Sequence, residues 1–323
     1  MAPEAIVQEH IFDDVRPFRQ CHASSLVRAS DETLLATWFG GTREGHQDVA
    51  IWGSRWHDGN WSAPRELAKV DDRPHWNPVL FKAPNGRIHL FFKVGYNPRE
   101  WQTWTMTSGD EGKTWTEPRE LVVGDRLPRG PAKNKPIVLF DGTWLAPASI
   151  EHSDRWDVFV DRSEDGGLTW EPTDLIPLNH SSFEGKGVIQ PTLWESEPGQ
   201  VHMLMRSTCG HICRSESGDH GRTWSSISKT GLPNNNSGLD LAKLGDGALA
   251  IVCNLVSGNW AARTPLSIAL SLDNGETWSH HLDIESGPGE YSYPTVIPTP
   301  KGIAVTYTWK RERIAFWKGP IVI

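Results

Sequence analysis

The chain has 323 residues, enough for one large domain or two ordinary ones, and its 37% of hydrophobic residues is enough to build a core. A formal net charge of −8 gives no positive field to hold a nucleic acid, so we expect no nucleic-acid partner. No run of apolar residues is long enough for a membrane helix, so we expect no membrane partner either.

The first five residues, 1–5, lack the basic and apolar regions of a secretory signal. This predicts a cytoplasmic protein, or a secreted one if an export segment was removed. Four cysteines are too few to staple a fold of this size, and Cys209 and Cys213 flank His211 at a spacing that only weakly suggests a metal site. We expect packed free cysteines, no metal and no redox or nucleotide cofactor.

The composition favours β-structure, because 17 Trp, 30 Gly and 23 Pro suit turns and strands and disfavour long helices. One octet with the pattern Ser-x-Asp-x-Gly-x-Thr-Trp recurs at residues 108–115, 163–170, 217–224 and 271–278, and a degenerate copy ends at Trp61. Successive octet tryptophans are 54, 55, 54 and 54 residues apart. In a hairpin turn the Ser and Asp oxygens accept backbone hydrogen bonds, Gly supplies a positive φ, and Trp fills the space between units.

A period near 54 residues has room for four strands and their loops, which is the size of one propeller blade. The whole chain then holds about six blades. The last blade uses the strands after Trp278, including residues 302–309, and an N-terminal strand that includes residues 5–8 closes it. The sequence therefore predicts an all-β, six-bladed β-propeller that forms one domain over residues 1–323.

The starts of the six innermost strands carry unusual polar groups, and these starts meet near the axis of a propeller. They lie at residues 21–24, 75–78, 133–136, 189–192, 234–238 and 290–294. Trp76, Asn77, Lys133 and Gln190 belong to this set and are predicted to bind the substrate. The site is therefore expected at this end of the blades.

The octets are the Asp boxes of the sialidase superfamily, and the chain resembles its six-bladed propellers over essentially its whole length. That family binds a carboxylate with three arginines and uses a Tyr nucleophile activated by a Glu. By resemblance, Tyr291 is the nucleophile, and Arg206 and Arg263 are the second and third arginines. Tyr293 lies beside them as a further substrate-binding or catalytic group.

Two residues depart from the family pattern. His22 stands where the first arginine is expected, and Gln190 stands where the activating glutamate is expected. Glutamine cannot accept a proton from a phenol whose ordinary pKa is near 10, so a tyrosine without another base is a poor nucleophile.

Residues 40–48 occupy the place of the family's acid-bearing loop. Asp48 is the first candidate for the general acid, with Glu44 and His46 as alternatives, and Arg43 is predicted to add positive charge to the pocket. The loop's glycines allow it to close over a ligand.

Three functions remain open. The leading prediction is an exo-acting glycoside hydrolase of sialidase type that removes a terminal acidic sugar from an oligosaccharide. The first alternative is a lyase that cleaves a uronic acid linkage, such as rhamnose-glucuronate, by β-elimination with His22 and Tyr291 or Tyr293 as base and acid. The second alternative is a glycan-binding propeller without catalysis. An acidic glycan is the expected partner in each case, and the sequence makes no prediction about oligomeric state.

Overall fold

The computed structural model describes residues 5–30 and 33–321, and every helix or strand within those ranges is a β-strand. The strands form six sheets, and a cluster of buried apolar residues lies between each pair of neighbouring sheets. The prediction of an all-β, six-bladed propeller is therefore confirmed. Over the same ranges no helix of membrane-crossing length and hydropathy occurs.

The blades are numbered in chain order, and β1 (Val7–His10) belongs to the last of them. Blade 1 contains β2 (Gln20–Arg28), β3 (Thr33–Gly41), β4 (Ala50–His57) and β5 (Asn60–Trp61), with β6 (Arg65–Ala68) also paired to β4. Blade 2 contains β7 (His75–Lys82), β8 (Ile88–Val94), β9 (Gln102–Ser108) and β10 (Arg119–Glu120). Blade 3 contains β11 (Ile137–Val138), β12 (Trp144–Glu151), β13 (Trp156–Ser163) and β14 (Glu171–Pro172).

Blade 4 contains β15 (Val188–Glu197), β16 (Gln200–Ser207), β17 (His211–Ser217) and β18 (Ser228–Pro233). Blade 5 contains β19 (Asp240–Lys243), β20 (Leu249–Cys253), β21 (Leu266–Ser271) and β22 (Ser279–Glu285). Blade 6 contains β23 (Tyr291–Thr299), β24 (Gly302–Trp309) and β25 (Arg313–Pro320), and β1 pairs antiparallel with β25 as its outer strand.

The inner strands of the six blades are β2, β7, β11, β15, β19 and β23. Each one pairs antiparallel with the second strand of its blade. The start of an inner strand and the end of the second strand therefore lie at the same end of the blade. Residues from both positions can reach one site at that end of the axis.

The apolar interior is divided into six layers, each between two adjacent blades. In the first layer, Leu35 and Ile51 of blade 1 pack with Leu80 and Leu90 of blade 2. This follows from the alternation of inward-facing and outward-facing residues along the strands, since each sheet has an apolar face for each neighbour. Every blade is therefore stabilised by its two neighbours.

The box at residues 108–115 has the hydrogen bonds that its sequence predicts. The Ser108 Oγ donates to Asp110 Oδ1 at 2.8 Å, and the Thr114 N–H donates to the same oxygen at 2.9 Å. Gly112 has a φ of 78°, and a Cβ there would lie 2.8 Å from Leu35 Cδ2 of blade 1. The glycine is thus required both by the backbone conformation and by the close approach of the neighbouring blade.

Candidate active site

A cavity of about 160 Å³ lies at the end of the axis where the inner strands begin. Its aromatic wall consists of Trp76, Trp101, Trp156, Trp260 and Tyr293, and its polar wall consists of Glu44, Asn77, Glu151, Gln190 and Arg206, with Pro98 between them. Large flat rings around a few convergent polar groups are typical of a small-molecule site. Broader concavities of about 440 and 360 Å³ lie near Lys243, at the opposite end of the blades.

Arg206 is the buried cation of the cavity, since only 3% of the residue is exposed. Its guanidinium lies 5.7 Å from the ring centre of Trp156 and 5.5 Å from that of Trp260, so the two rings enclose it. Its Nε donates to Asn236 Oδ1 at 2.7 Å, and its Nη1 donates to Gln190 Oε1 at 3.2 Å. These partners are all neutral, so they fix the guanidinium plane without neutralising its charge.

Tyr293 joins this group from blade 6. The Arg206 Nη1 donates to its hydroxyl at 2.5 Å, and the Gln190 Nε2 donates to the same oxygen at 3.4 Å. The ring of His22 lies behind the tyrosine, with 4.2 Å between the two ring centres. Tyr293 is therefore held from two sides, with its hydroxyl at the arginine.

Two further arginines lie next to this group, and both are neutralised by carboxylates. The Arg263 Nη1 donates to Glu290 Oε1 at 2.7 Å, and the Arg311 Nε donates to the same oxygen at 2.8 Å. Arg311 also pairs with Glu44 of the 40–48 loop. Although burial acts to raise the pKa of Glu290, the charges of Arg311 and Arg263 hold it below its ordinary value.

Glu151 forms the carboxyl side of the cavity in blade 3, at the end of β12. Burial raises the pKa of Glu151 above its ordinary value, Arg206 opposes this rise, and Glu44 adds to it. The cavity therefore combines an unneutralised guanidinium with a carboxyl group that retains its proton to a higher pH than usual.

Backbone strain is concentrated at this end of the inner strands. Five non-glycine residues within four positions of the start of an inner strand have φ between 40° and 57°: Ala23, Asn77, Gln190, Asn236 and Tyr293. In four of these blades the pairing register shifts at the same point, which marks a β-bulge. Such conformations are unfavourable for residues with a Cβ and are typical of functional sites.

Comparison with known proteins matches residues 32–305 to the model of the BNR repeat-like domain. The chain belongs to the BNR repeat-like family. It is 28% identical over 196 residues to a sialidase of Bacteroides fragilis (strain YCH46), an alignment that covers 56% of this chain and 34% of that protein. The chain thus spans about a third of the length of this curated relative.

Solved structures share the propeller fold. The Hadza microbial sialidase Hz136 superposes with a TM-score of 0.78 at 19% identity, covering 93% of this chain and 66% of that one. A Dyadobacter fermentans protein of unknown function has a TM-score of 0.78 at 15% identity and covers 98% and 99% of the two chains. Trypanosoma rangeli sialidase with the inhibitor DANA gives 0.74 at 14% identity, covering 98% and 60%. At these identities the likeness establishes a sialidase-like fold alone.

In this BNR repeat-like propeller, Tyr291, which was predicted as the nucleophile, lies outside the cavity. Its ring packs in the layer between blades 5 and 6, and its hydroxyl donates to the Pro288 carbonyl at 3.3 Å. Burial and the charge of Glu285 raise its pKa. Tyr293 takes the place beside Arg206 instead.

Asp48, the first candidate for the general acid, uses its carboxylate to hold the 40–48 loop together. It accepts hydrogen bonds from the Thr42 hydroxyl and from His46 Nδ1, both at 2.7 Å. Burial acts against the shift, but these bonds lower the pKa of Asp48 below its ordinary value, which disfavours a proton donor. Glu44 is the loop carboxylate that lines the cavity, whereas Arg43 is exposed and is not part of the cavity wall.

His22 and Lys133 are enclosed rather than open to the cavity. His22 is 2% exposed, and its Nδ1 lies 2.8 Å from Thr308 Oγ1. Burial and nearby cations, of which Arg311 is the foremost, hold its pKa well below the ordinary value, which disfavours the charged form of the ring. Lys133, which was predicted to bind the substrate, donates to the Leu239 carbonyl at 3.1 Å from within the axis, away from the cavity wall.

The other residues that were predicted to bind the substrate lie at or beside the cavity. Trp76, Asn77, Gln190 and Arg206 line the cavity, and the guanidinium of Arg263 lies 5.5 Å from the Tyr293 ring centre. Sequence reasoning missed Glu151 and Arg311 because it considered only the starts of inner strands and the positions that the family resemblance implied. Charged residues at the ends of second strands, where Arg206 also lies, were the available signal.

The remaining sequence prediction concerns the cysteines at positions 209 and 213, which were expected to be free and packed. The Cys209 and Cys213 Sγ atoms are 3.7 Å apart, and both residues are buried and reduced. Within residues 5–30 and 33–321, no cluster of His, Cys, Asp and Glu suits a metal ion.

Proposed function

We propose that this protein is a glycoside hydrolase that removes a terminal acidic sugar from an oligosaccharide. The proposal depends on one observation: Arg206 is a buried cation that makes no ion pair with a carboxylate in the part of the chain that the structure describes. Its described hydrogen-bond partners are neutral, while Arg263 and Arg311 are paired with Glu290. A buried cation without a carboxylate partner is unfavourable in the free protein and favours an anionic ligand.

A hydrogen-bond donor on Arg206 that no described residue engages also favours an anionic ligand. Its Nε and Nη1 are engaged by Asn236, Gln190 and Tyr293, which leaves Nη2 for a carboxylate of the sugar. Trp156 and Trp260, on either side of the guanidinium, offer flat apolar faces to a sugar ring. The cavity thus suits a small anionic ring.

Tyr293 is assigned a supporting role in the reaction. Because Gln190 cannot accept its proton, its hydroxyl oxygen stabilises the positive charge that develops at the anomeric carbon rather than forming a bond to it. This assignment departs from the nucleophilic tyrosine that the family resemblance implies.

The test is turnover of two substrate panels, sialosides and oligosaccharides with a terminal glucuronate, followed by mass spectrometry and ultraviolet absorbance. Hydrolysis gives products that together gain one water without new absorbance.

Arg206→Lys keeps the charge but loses the planar donor pair, so we expect kcat/KM to fall about 30-fold or more. Arg222→Lys, on an exposed box turn, is the matched control with unchanged activity. Wild-type protein without activity on either panel would contradict the proposal.

Elimination from a uronic acid is the second candidate. The contact of the Tyr293 hydroxyl with Arg206 favours it, because a carboxylate held at Arg206 would bring the neighbouring C–H bond towards that hydroxyl. The enclosed position of His22 weighs against the partner base. In this reaction the C5 proton next to the carboxylate is removed, a C4–C5 double bond forms, and the sugar on O4 leaves with the electrons of the C4–O bond. Oligosaccharides in which glucuronate carries a sugar on O4 test it, because their products would gain no water and would absorb as unsaturated uronates.

A further inference from the structure

Among the described residues, the carboxyl group of Glu151 makes no contact that would give it a role in stabilising the fold. The residue ends β12 and shares the cavity wall with Gln190, Arg206 and Tyr293. Within the part of the chain that the structure describes, no group holds this carboxyl in a hydrogen bond or salt bridge. A partly buried carboxyl group that contributes nothing to the fold is available to a ligand.

The other carboxylates around the site are all engaged. Glu290 bridges Arg263 and Arg311, and Glu44 pairs with Arg311. Ion pairing favours the charged form of a carboxylate and so makes it a weaker proton donor. Glu151 is the carboxyl group of the cavity that is free to give and take a proton.

The charges that face Glu151 come from four elements. Arg206 at the end of β16, Lys186 before β15 and Lys93 on β8 favour its charged form, while Glu44 of the 40–48 loop disfavours it. Burial outweighs the three cations, so the pKa of Glu151 lies above its ordinary value. A raised pKa matches the requirement for a carboxyl group that must be protonated before the reaction.

We propose, on the basis of the hydrolase function above, that Glu151 is the general acid and base of the reaction. It gives its proton to the glycosidic oxygen as the bond from that oxygen to the anomeric carbon breaks, and the electron pair of the bond stays on the oxygen. A water molecule then adds to the anomeric carbon, and the Glu151 carboxylate takes the proton that the water loses. The enzyme returns to its starting state, and the net change is addition of one water.

The opposing explanation is that Glu151 only binds sugar hydroxyl groups. The two roles differ in their dependence on the leaving group. A general acid is needed for a poor leaving group such as an alkoxide and is dispensable for a phenolate that leaves without protonation. A binding role affects both substrates equally, because the sugar is the same.

The experiment compares wild type, Glu151→Gln and Glu171→Gln on methyl and 4-nitrophenyl glycosides of N-acetylneuraminic and glucuronic acid. We expect Glu151→Gln to lose at least about 100-fold in kcat on the methyl glycoside and less than about 10-fold on the nitrophenyl glycoside. Its kcat/KM should also lose the decline at high pH that deprotonation of the acid causes in wild type. Glu171 is exposed in the outer strand of the same blade, so Glu171→Gln should match wild type.

Each outcome is informative. Equal losses on the two leaving groups, or no loss, would overturn the role of Glu151 and leave the hydrolase function standing. Wild-type protein inert on all four glycosides would overturn the hydrolase function and this inference with it. Quenching of tryptophan fluorescence by free N-acetylneuraminic or glucuronic acid reports on an intact cavity, because four tryptophans line it. Glu151→Gln should bind the sugar acid as wild type does.

Discussion

Tyr291 and Tyr293 are two positions apart in β23, and in a regular strand their side chains would share one face. The register of β23 against β24 shifts between Ser292 and Thr295, and Tyr293 has a φ of 53°. This bulge turns Tyr293 to Arg206 and leaves Tyr291 between blades. A local backbone irregularity, which the side-chain pattern does not reveal, thus selects the residue that reaches the site.

Tyrosine-to-phenylalanine substitutions at the two positions should therefore have different effects. Tyr293→Phe removes the hydroxyl that contacts Arg206 and Gln190, so we expect kcat to fall about 10²- to 10³-fold with little change in KM. Steady-state kinetics on the substrate identified by the panel measures this. Tyr291→Phe loses one hydrogen bond to Pro288, so its activity should stay within about twofold of wild type and its stability should fall by about 1 kcal/mol. The reverse ranking would restore Tyr291 as the catalytic tyrosine.

Each Asp box is an element stabilised mainly by its own hydrogen bonds. In the box at residues 217–224, Asp219 accepts from the Ser217 hydroxyl at 2.7 Å, the Thr223 hydroxyl at 2.6 Å and two backbone N–H groups. Trp224 closes the turn with a hydrogen bond to the Gly221 carbonyl at 3.2 Å. The box lies on outer turns, away from the residues that line the cavity. Its role is therefore structural.

Asp219→Ala should lower stability and leave catalysis unchanged. Loss of four hydrogen bonds in a partly exposed turn is expected to reduce the free energy of unfolding by about 1–2 kcal/mol. Urea titration measures the change. Asp246→Ala, in an ordinary turn where the carboxylate accepts one backbone bond from Ala248, is the control with a smaller effect. A large loss of kcat in Asp219→Ala without a stability change would contradict the structural role.

At the scale of the molecule, the fold could be predicted because its evidence is local and repeated. The octets at residues 108–115, 163–170, 217–224 and 271–278 each carry their own hydrogen-bonding residues. The spacing of the tryptophans from Trp61 to Trp278 therefore gives the length of one blade, and the chain length then gives about six blades. The site was less predictable, because it depends on closure of the ring. Arg206 of blade 4, Glu151 of blade 3 and Tyr293 of blade 6 meet only when all blades are in place.

The axis beneath the cavity is held together by Lys133. Its Nζ donates to Asn134 Oδ1 at 2.9 Å, to the Leu239 carbonyl at 3.1 Å and to the Pro294 carbonyl. These acceptors precede or follow the starts of three inner strands, so one amine connects blades 3, 5 and 6. Burial lowers the pKa of Lys133 to about 7, with Asp240 opposing the shift and Lys135 and Arg206 adding to it.

This lowered pKa gives the stability of the whole propeller a defined pH dependence. Below pH 7 the amine is protonated in both states, whereas between pH 7 and the ordinary lysine pKa near 10.4 the unfolded chain binds the proton and the folded chain does not. The contribution of this residue to the free energy of unfolding therefore rises with pH through that window.

Lys133→Met removes the amine and with it this pH dependence. The free energy of unfolding of wild type minus that of Lys133→Met should therefore increase by about 1–3 kcal/mol from pH 7 to pH 9. Urea titrations at pH 7, 8 and 9 measure it, with Lys113→Met at an exposed position as the control whose difference stays constant. A constant difference for Lys133→Met would mean that the amine remains protonated in the folded axis and that its carbonyl partners outweigh the effect of burial.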